Sequence, residues 1–226
     1  VWDDDEDRRA LAEELDVRIV DLKSENMSNF ACLVVTPGIP LTVNAHPVIE
    51  RAQHAEIDIL CDMEILHRCD HGRKTVGITG TNGKSTTTSL IGHILKNCGI
   101  DCVVGGNIGK AALDLKLPKK DGVIVLEMSS FQLDLCPTFS PDIGVLLNIS
   151  PDHIDRHGNM DNYKSAKLNI FRGAGDAVIG TDDEMAANAY KEISSAGTRF
   201  CIPISVSNKL ERGVYVQDNV LHDVLT

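Results

Sequence analysis

Apolar residues in this chain gather into short runs separated by polar, glycine-bearing turns, and strand-like runs alternate with segments of helical spacing. Residues 76–79 read as a strand, followed by the turn Gly80-Thr81-Asn82-Gly83 and a helix with Leu90, Ile91, Ile94, Leu95 and Cys98 on one face until Gly99 stops it. Residues 123–126, Val-Ile-Val-Leu, are uninterrupted in their apolarity, which marks a strand covered on both faces of a parallel sheet, and residues 143–147 form a second such strand. Further strands are expected near 102–104, 177–179, 200–202 and 214–216, a helix at 182–193, and another opened by Asp161 with Tyr163, Ala166 and Ile170 on one face. Upstream, residues 8–15 have helical spacing with Ala10, Leu11 and Leu15 together. Strands follow at 18–21, 32–36 and 57–60, and helices at 47–54 and 62–69. Alternation of this kind predicts an α/β protein: a Rossmann-like N-terminal domain over residues 1–73, then a phosphate-loop ATPase domain with a mainly parallel sheet over 74–226, each incomplete. The polar segment 70–74 is the expected boundary.

Composition narrows the classes of function. The 226 residues are 42% hydrophobic and 24% charged, enough for a sizeable core, and the net charge of −11 argues against nonspecific nucleic-acid or anionic-membrane binding. Seven cysteines, an odd number without a Cys-x-x-Cys pair, read as reduced thiols of a cytoplasmic protein, and no apolar run approaches membrane-spanning length. The chain opens at Val1 without methionine and reads as a fragment.

The turn between the 76–79 strand and its helix carries the chemistry. A glycine turn at a helix N-terminus aims backbone N–H groups at one point and adds the positive end of the helix dipole, which holds a phosphate. Lys84 supplies formal charge, and Ser85 puts a hydroxyl where a magnesium ion bridging two phosphates would sit. Ile78 stands where the general phosphate-loop pattern has its first glycine, so Gly80 makes the turn instead. Glu127 closes a buried strand and can complete a magnesium shell, although strand-end glutamates commonly cap helices. His153 lies in the polar connector Asp152-His153-Ile154-Asp155-Arg156-His157, and Lys167 on a helix where most lysines are surface charges. Near the N-terminus, Asp3 suits a ribose hydroxyl or, equally, a helix cap, and Gly38 allows close approach of a ligand.

Five blocks together are similar to the Mur ligases of peptidoglycan synthesis: Gly80-Thr81-Asn82-Gly83-Lys84-Ser85-Thr86, Gly106-Asn107-Ile108-Gly109, Glu127-Met128-Ser129-Ser130-Phe131-Gln132-Leu133, residues 148–156, and Tyr163-Lys164-Ser165-Ala166-Lys167. The Ser129–Gln132 block and the Thr36-Pro37-Gly38-Ile39-Pro40 turn most resemble the branch that adds D-glutamate to UDP-N-acetylmuramoyl-L-alanine. The alternatives are another family member, a folylpolyglutamate synthase relative, or a nucleotide-binding fragment without turnover. By this resemblance Gly80 to Thr86 cradle ATP, Ser85 and Glu127 hold one Mg²⁺, His153 serves a second, and Lys167 is carbamylated by CO₂. Asn107, Ser129 and Gln132 hold the muramoyl-alanine side of the substrate, and Asp3 and Gly38 the uridine side. The implied partners are the small-molecule substrates ATP, UDP-N-acetylmuramoyl-L-alanine and D-glutamate, with no nucleic acid, no membrane and a monomeric enzyme. The family's opening strand and C-terminal domain are expected beyond both ends, so the 226 residues alone are expected to form no amide product from these substrates.

Overall fold

The computed structural model describes residues 1–70 and 72–225. His71, within the expected boundary segment, and Thr226 lie outside the described residues. The chain divides into two compact units, Val1–Leu60 and Cys61–Thr226.

In the first unit α1 (Glu6–Glu14) is capped by Asp5, whose side chain accepts the Asp7 N–H, and Glu6 and Asp7 sit where the helix dipole favours acids. The expected face of Ala10, Leu11 and Leu15 does not pack, since no residue of α1 is buried. Strands β1 (Cys32–Val34) and β2 (Asp58–Leu60) pair in parallel, Cys32 opposite Asp58, with α2 (Pro47–His54) as the connection between them. Pro47 occupies the first helical position, where its missing N–H is not needed, and His46 accepts the Val48 N–H. Val48, Ile49 and Ala52 from α2 bury against Met27 and Leu33, the centre of a small core. Residues 18–21 form no strand: the Val1 amine donates to Arg18 O (2.6 Å) and Val20 N–H donates to Val1 O (3.0 Å).

The division falls after Leu60, ahead of the 70–74 segment, because α3 (Asp62–Cys69) is tied into the second unit. Asp62 accepts the Ala112 N–H at 2.9 Å. The fully buried Glu64 carboxylate accepts from Arg68 Nε (2.8 Å), Phe139 N–H (3.1 Å), and the N–H and hydroxyl of Thr138. A buried charge is tolerated only when its oxygens are satisfied in this way.

The second unit is built on an eight-stranded sheet. Its strands are β3 (Lys74–Thr79), β4 (Cys102–Gly106), β5 (Val123–Glu127), β6 (Ile143–Leu146), β7 (Asp176–Gly180), β8 (Cys201–Ser205), β9 (Gly213–Gln217) and β10 (Val220–Val224). Their spatial order is β10-β9-β8-β7-β6-β3-β5-β4, parallel throughout except for the terminal β9–β10 hairpin. Asp218 and Asn219 make that hairpin's two-residue turn, both with positive φ (52° and 59°), as the right-handed twist of such a ribbon requires. Helices α4 (Lys84–Asn97), α5 (Ser130–Asp134), α6 (Ile154–His157), α7 (Met160–Leu168) and α8 (Glu184–Ser195) fill the connections. Ile78, Val125 and Val145 form the centre of one core cluster, with Ile91, Leu95 and Val104 packed on it.

Helix α4 is turned relative to its expected face. Ile91 and Leu95 face the core as anticipated, but Leu90 and Ile94 are half exposed (54% and 50%), and the buried positions are Thr88 and Gly92. Gly92 accounts for the rotation, because a Cβ there would lie 2.2 Å from Val104 Cγ2 and the helix backbone therefore rests directly on β4. Alanine at Gly92 gains helix propensity of ~1 kcal/mol but overpacks this contact, which costs ~1–3 kcal/mol. Gly92→Ala is therefore expected to lower the urea midpoint, and adding Val104→Ala to restore most of it. A Gly92→Ala protein more stable than wild type would contradict this packing.

Candidate functional site

The parallel register brings the chemistry-bearing residues to one end of the sheet. Ile78 pairs with Glu127 and Thr79 with Leu146, so β3, β5 and β6 all deliver their carboxyl ends to the same side. After β3 the chain crosses to one side, to β4 and β5, and then to β6 on the other, which makes the end of β3 the switch point where open α/β sheets bind ligands. Gly80 to Gly83 leave β3 there. Gly83 is the N-cap of α4 with φ 82°, a left-handed conformation that favours glycine, and it offers no side-chain cap. The first-turn N–H groups of Lys84, Ser85 and Thr86 are thereby available to an anion.

Two lysines converge on this turn. Lys84 Nζ donates to Gly80 O (3.0 Å) and Thr81 O (2.8 Å), and Lys167 Nζ donates to the same Gly80 O at 2.6 Å. Lys167 is 2% exposed, with its Nζ 4.5 Å from the centre of the Tyr163 ring. Burial, reinforced by the nearby Lys84 charge, brings its pKa down to about 7. A lysine that helix spacing alone would leave on the surface, and that the family resemblance put at the site, is a buried amine at the β3–α4 turn.

Glu127 is 2% exposed, and its Oε1 accepts from Asn107 Nδ2 at 3.0 Å. Its Oε2 is buried with no hydrogen-bond partner among the described residues. Such an orphaned carboxylate oxygen costs ~1–3 kcal/mol or more unless something else meets it. With the Ser85 hydroxyl on the exposed first turn of α4, the residues fit a hard divalent cation that takes oxygen ligands and keeps several waters. His153 is half exposed at the start of α6 with φ 51°. Its ring sits 5.0 Å from that of Phe131, and Asp152 Oδ2 lies 3.4 Å from Nε2. Among the described residues no three His, Cys, Asp or Glu side chains cluster as a metal site.

The expected substrate residues have local duties. Ser129 and Gln132 form a capping box on α5: Gln132 N–H donates to Ser129 Oγ (3.2 Å), and Ser129 N–H and Oγ–H donate to Gln132 Oε1 (3.0 Å each). Asn107 uses one amide N–H on Glu127. Asp3 and Gly38 belong to the first unit, where Asp3 accepts the Asp5 N–H (3.0 Å) and pairs with Arg8, and the space above Gly38 is open. Asp3 thus braces Asp5, the residue that caps α1, and is not itself the cap.

Asn148 had no assigned role in the sequence. Its Oδ1 accepts the N–H groups of Thr81 (3.1 Å) and Asn82 (2.8 Å), and its Nδ2 donates to Asn82 O (3.1 Å), so it clamps the outer half of the loop. Its position just beyond a buried strand, at the head of the 148–156 block, was the signal for it. At the opposite end of the sheet, a cavity of about 660 Å³ is lined by Arg68, Arg73 and Lys74, and each of these is paired with a carboxylate.

Residues 78–222 match the Mur ligase middle domain. The chain is 44% identical to a UDP-N-acetylmuramoylalanine–D-glutamate ligase from Caulobacter sp. (strain K31), over 99% of this chain and 50% of that protein. It spans about half the length of the curated relatives it matches. Among solved structures, the UDP-N-acetylmuramate:L-alanyl-gamma-D-glutamyl-meso-diaminopimelate ligase from Neisseria meningitides is 14% identical with a TM-score of 0.56, covering 95% of this chain and 70% of that one. A MurF ligase from Thermotoga maritima in complex with ADP is 18% identical with a TM-score of 0.50, covering 90% and 56%. At these identities the structures bear on the fold. No helix among the described residues is long and apolar enough to cross a membrane.

Two measurements test the site. Asn148→Ala removes the loop clamp and is expected to weaken Mg-nucleotide binding about tenfold, the factor that ~1.4 kcal/mol corresponds to; calorimetry giving unchanged affinity would remove Asn148 from the site. The Lys167 pKa is about 7 when folded, against an ordinary 10.5. Between those values the unfolded chain binds more protons, so this group's contribution makes stability rise with pH over that window. Lys167→Met should abolish that rise and leave a more stable protein near pH 7. Urea curves for the two proteins that stay parallel from pH 7 to 10 would show Lys167 to be solvated.

Proposed function

Because this chain belongs to the Mur ligase family, we propose that it forms part of the ATP-dependent enzyme that joins D-glutamate to UDP-N-acetylmuramoyl-L-alanine in peptidoglycan precursor synthesis. The observation that carries this reading is the meeting of Lys84, Lys167 and the unpartnered Glu127 oxygen with the open N-terminus of α4 at one end of the sheet. We assign the first unit to the UDP side of the substrate and the second to ATP, and place the enzyme in the cytoplasm as a monomer.

In this reading the substrate carboxylate attacks the γ-phosphorus of ATP, releasing ADP and leaving an acyl phosphate. The D-glutamate amine then attacks the acyl carbon, losing a proton and expelling phosphate. Lys84 and the first-turn N–H groups of α4 hold the polyphosphate in line, a positioning role that accounts for most catalysis of phosphoryl transfer. Bound Mg²⁺ would offset the repulsion between carboxylate and phosphate. Glu127 and Ser85 would hold one ion and His153 a second. Lys167 supports carbamylation, since only an uncharged amine attacks CO₂ and burial makes that form accessible near neutral pH. The carbamate would then present oxygen atoms instead of a repelling ammonium. Asn107, Ser129 and Gln132 would orient the muramoyl-alanine end.

The full-length protein is expected to release ADP from MgATP and UDP-N-acetylmuramoyl-L-alanine only when D-glutamate is supplied, with little turnover on meso-diaminopimelate or L-alanine. Lys84→Ala should reduce kcat/KM at least a hundredfold, and Lys167→Ala should recover partly with an added short-chain carboxylate. Turnover with a different amino acid would reassign the branch, and none with any would leave the nucleotide-binding reading.

A further inference from the structure

Behind the α5 cap lies a buried cluster to which the ligase reading gives no role. His157 is 6% exposed, Ser130 2% and Tyr163 1%. His157 Nε2 lies 2.9 Å from Ser130 Oγ. On its other side the ring meets Tyr163 at 5.3 Å between centroids, and the Tyr163 hydroxyl lies 3.2 Å from Thr81 Oγ1 in the phosphate loop. Thr81 Oγ1 in turn accepts the Ser150 N–H at 3.0 Å. Phe131, between Ser130 and Gln132 in sequence, packs its ring 5.4 Å from His157. A line of contacts, part-buried at Thr81 and buried from Tyr163 onward, therefore runs from the loop to the first turn of α5.

We infer that His157 is a positioning residue that fixes the Ser129–Gln132 turn relative to the phosphate loop, through Ser130 on one side and Tyr163 on the other. Asp134 Oδ2 lies 3.7 Å from Nδ1 and favours the proton there, so Nε2 accepts the Ser130 hydroxyl. With only five residues, α5 cannot hold its own position and depends on such outside contacts. A buried serine hydroxyl without its acceptor would turn or drag the helix end to find another. Because Ser129 and Gln132 belong to that same turn, a shift there would displace the groups expected to orient the substrate, and the inference rests on the proposed function to that extent. Enclosure of Ser130 and His157 leaves no room for a substrate between them, so a Ser-His-Asp hydrolase does not follow from the same geometry.

The test uses the full-length protein. Ser130→Ala and His157→Phe, the latter keeping a ring against Tyr163, should each raise KM for UDP-N-acetylmuramoyl-L-alanine about tenfold, with KM for ATP within about twofold of wild type. The double variant should be no worse than either single one, as expected for partners in one interaction. His157→Gln, which keeps an acceptor near the Nε2 position, should recover part of the loss. A merely structural role would lower the melting temperature without this split. Independently of turnover, ¹⁵N-histidine labelling of the eight histidines should show Nε2 of His157 without a proton, in a signal moved by Ser130→Ala and by Thr81→Val. Absence of D-glutamate-dependent product from the wild type would defeat the ligase reading alone, because the nitrogen signals still decide this one. A His157 signal indifferent to either substitution, or a substrate KM unchanged in both single variants, would overturn the inference.

Discussion

The carbonyl oxygen of Gly80 receives two lysine side chains, one from the start of α4 and one from the far end of α7, and the rest of the second unit is arranged so that this can happen. Two ammonium groups at one carbonyl repel each other, and with Lys167 almost wholly buried the repulsion is poorly screened. The molecule has two ways to relieve it: the buried amine can lose its proton, or an anion can occupy the loop. The proposed reading uses both, since the neutral amine can take up CO₂ and the anion would be the phosphate of ATP. Two positive groups set against one loop also raise the local concentration of anions.

Sheet topology makes that convergence possible. β3 lies between β5 and β6, and the chain reaches these neighbours from opposite directions, which opens a crevice at the end of β3. Each neighbour then contributes to the loop. β5 ends in Glu127, and just beyond β6 Asn148 clamps Thr81 and Asn82. Thr79 Oγ1 also bonds Met128 O at 2.8 Å, which fixes the ends of β3 and β5 to each other. The loop is therefore held from both sides, and a loop so held loses less freedom on binding.

What could be read from the sequence follows the range of the interactions involved. The helices at 47–54 and 62–69 and the strands at 123–127 and 143–146 are set by local apolar spacing and by signals such as Pro47, and they stand where that spacing puts them. The strand–turn–helix around Gly80–Gly83 was legible because its glycines, lysine and serine are contiguous. Spacing failed where a distant contact decides. The rotation of α4 is set by Gly92 lying on Val104, residues 18–21 meet Val1 in place of a strand, and α3 joins the second unit through Glu64 and the 138–139 backbone. Asn148 and the Ser130–His157 contact were invisible for the same reason, since their partners lie far away in sequence.

The α5 cap determines which polar groups remain for a ligand. Gln132 Oε1 already accepts two hydrogen bonds from Ser129, and Ser129 Oγ both accepts from the Gln132 N–H and donates to its side chain. The acceptors of this turn are thus largely consumed by its own helix, which suits it poorly to an amine, a group that needs acceptors. Asn107 differs, since it spends an amide N–H on Glu127. In the proposed reading capping and recognition are compatible uses of Ser129 and Gln132, because the cap holds both side chains in one rotamer.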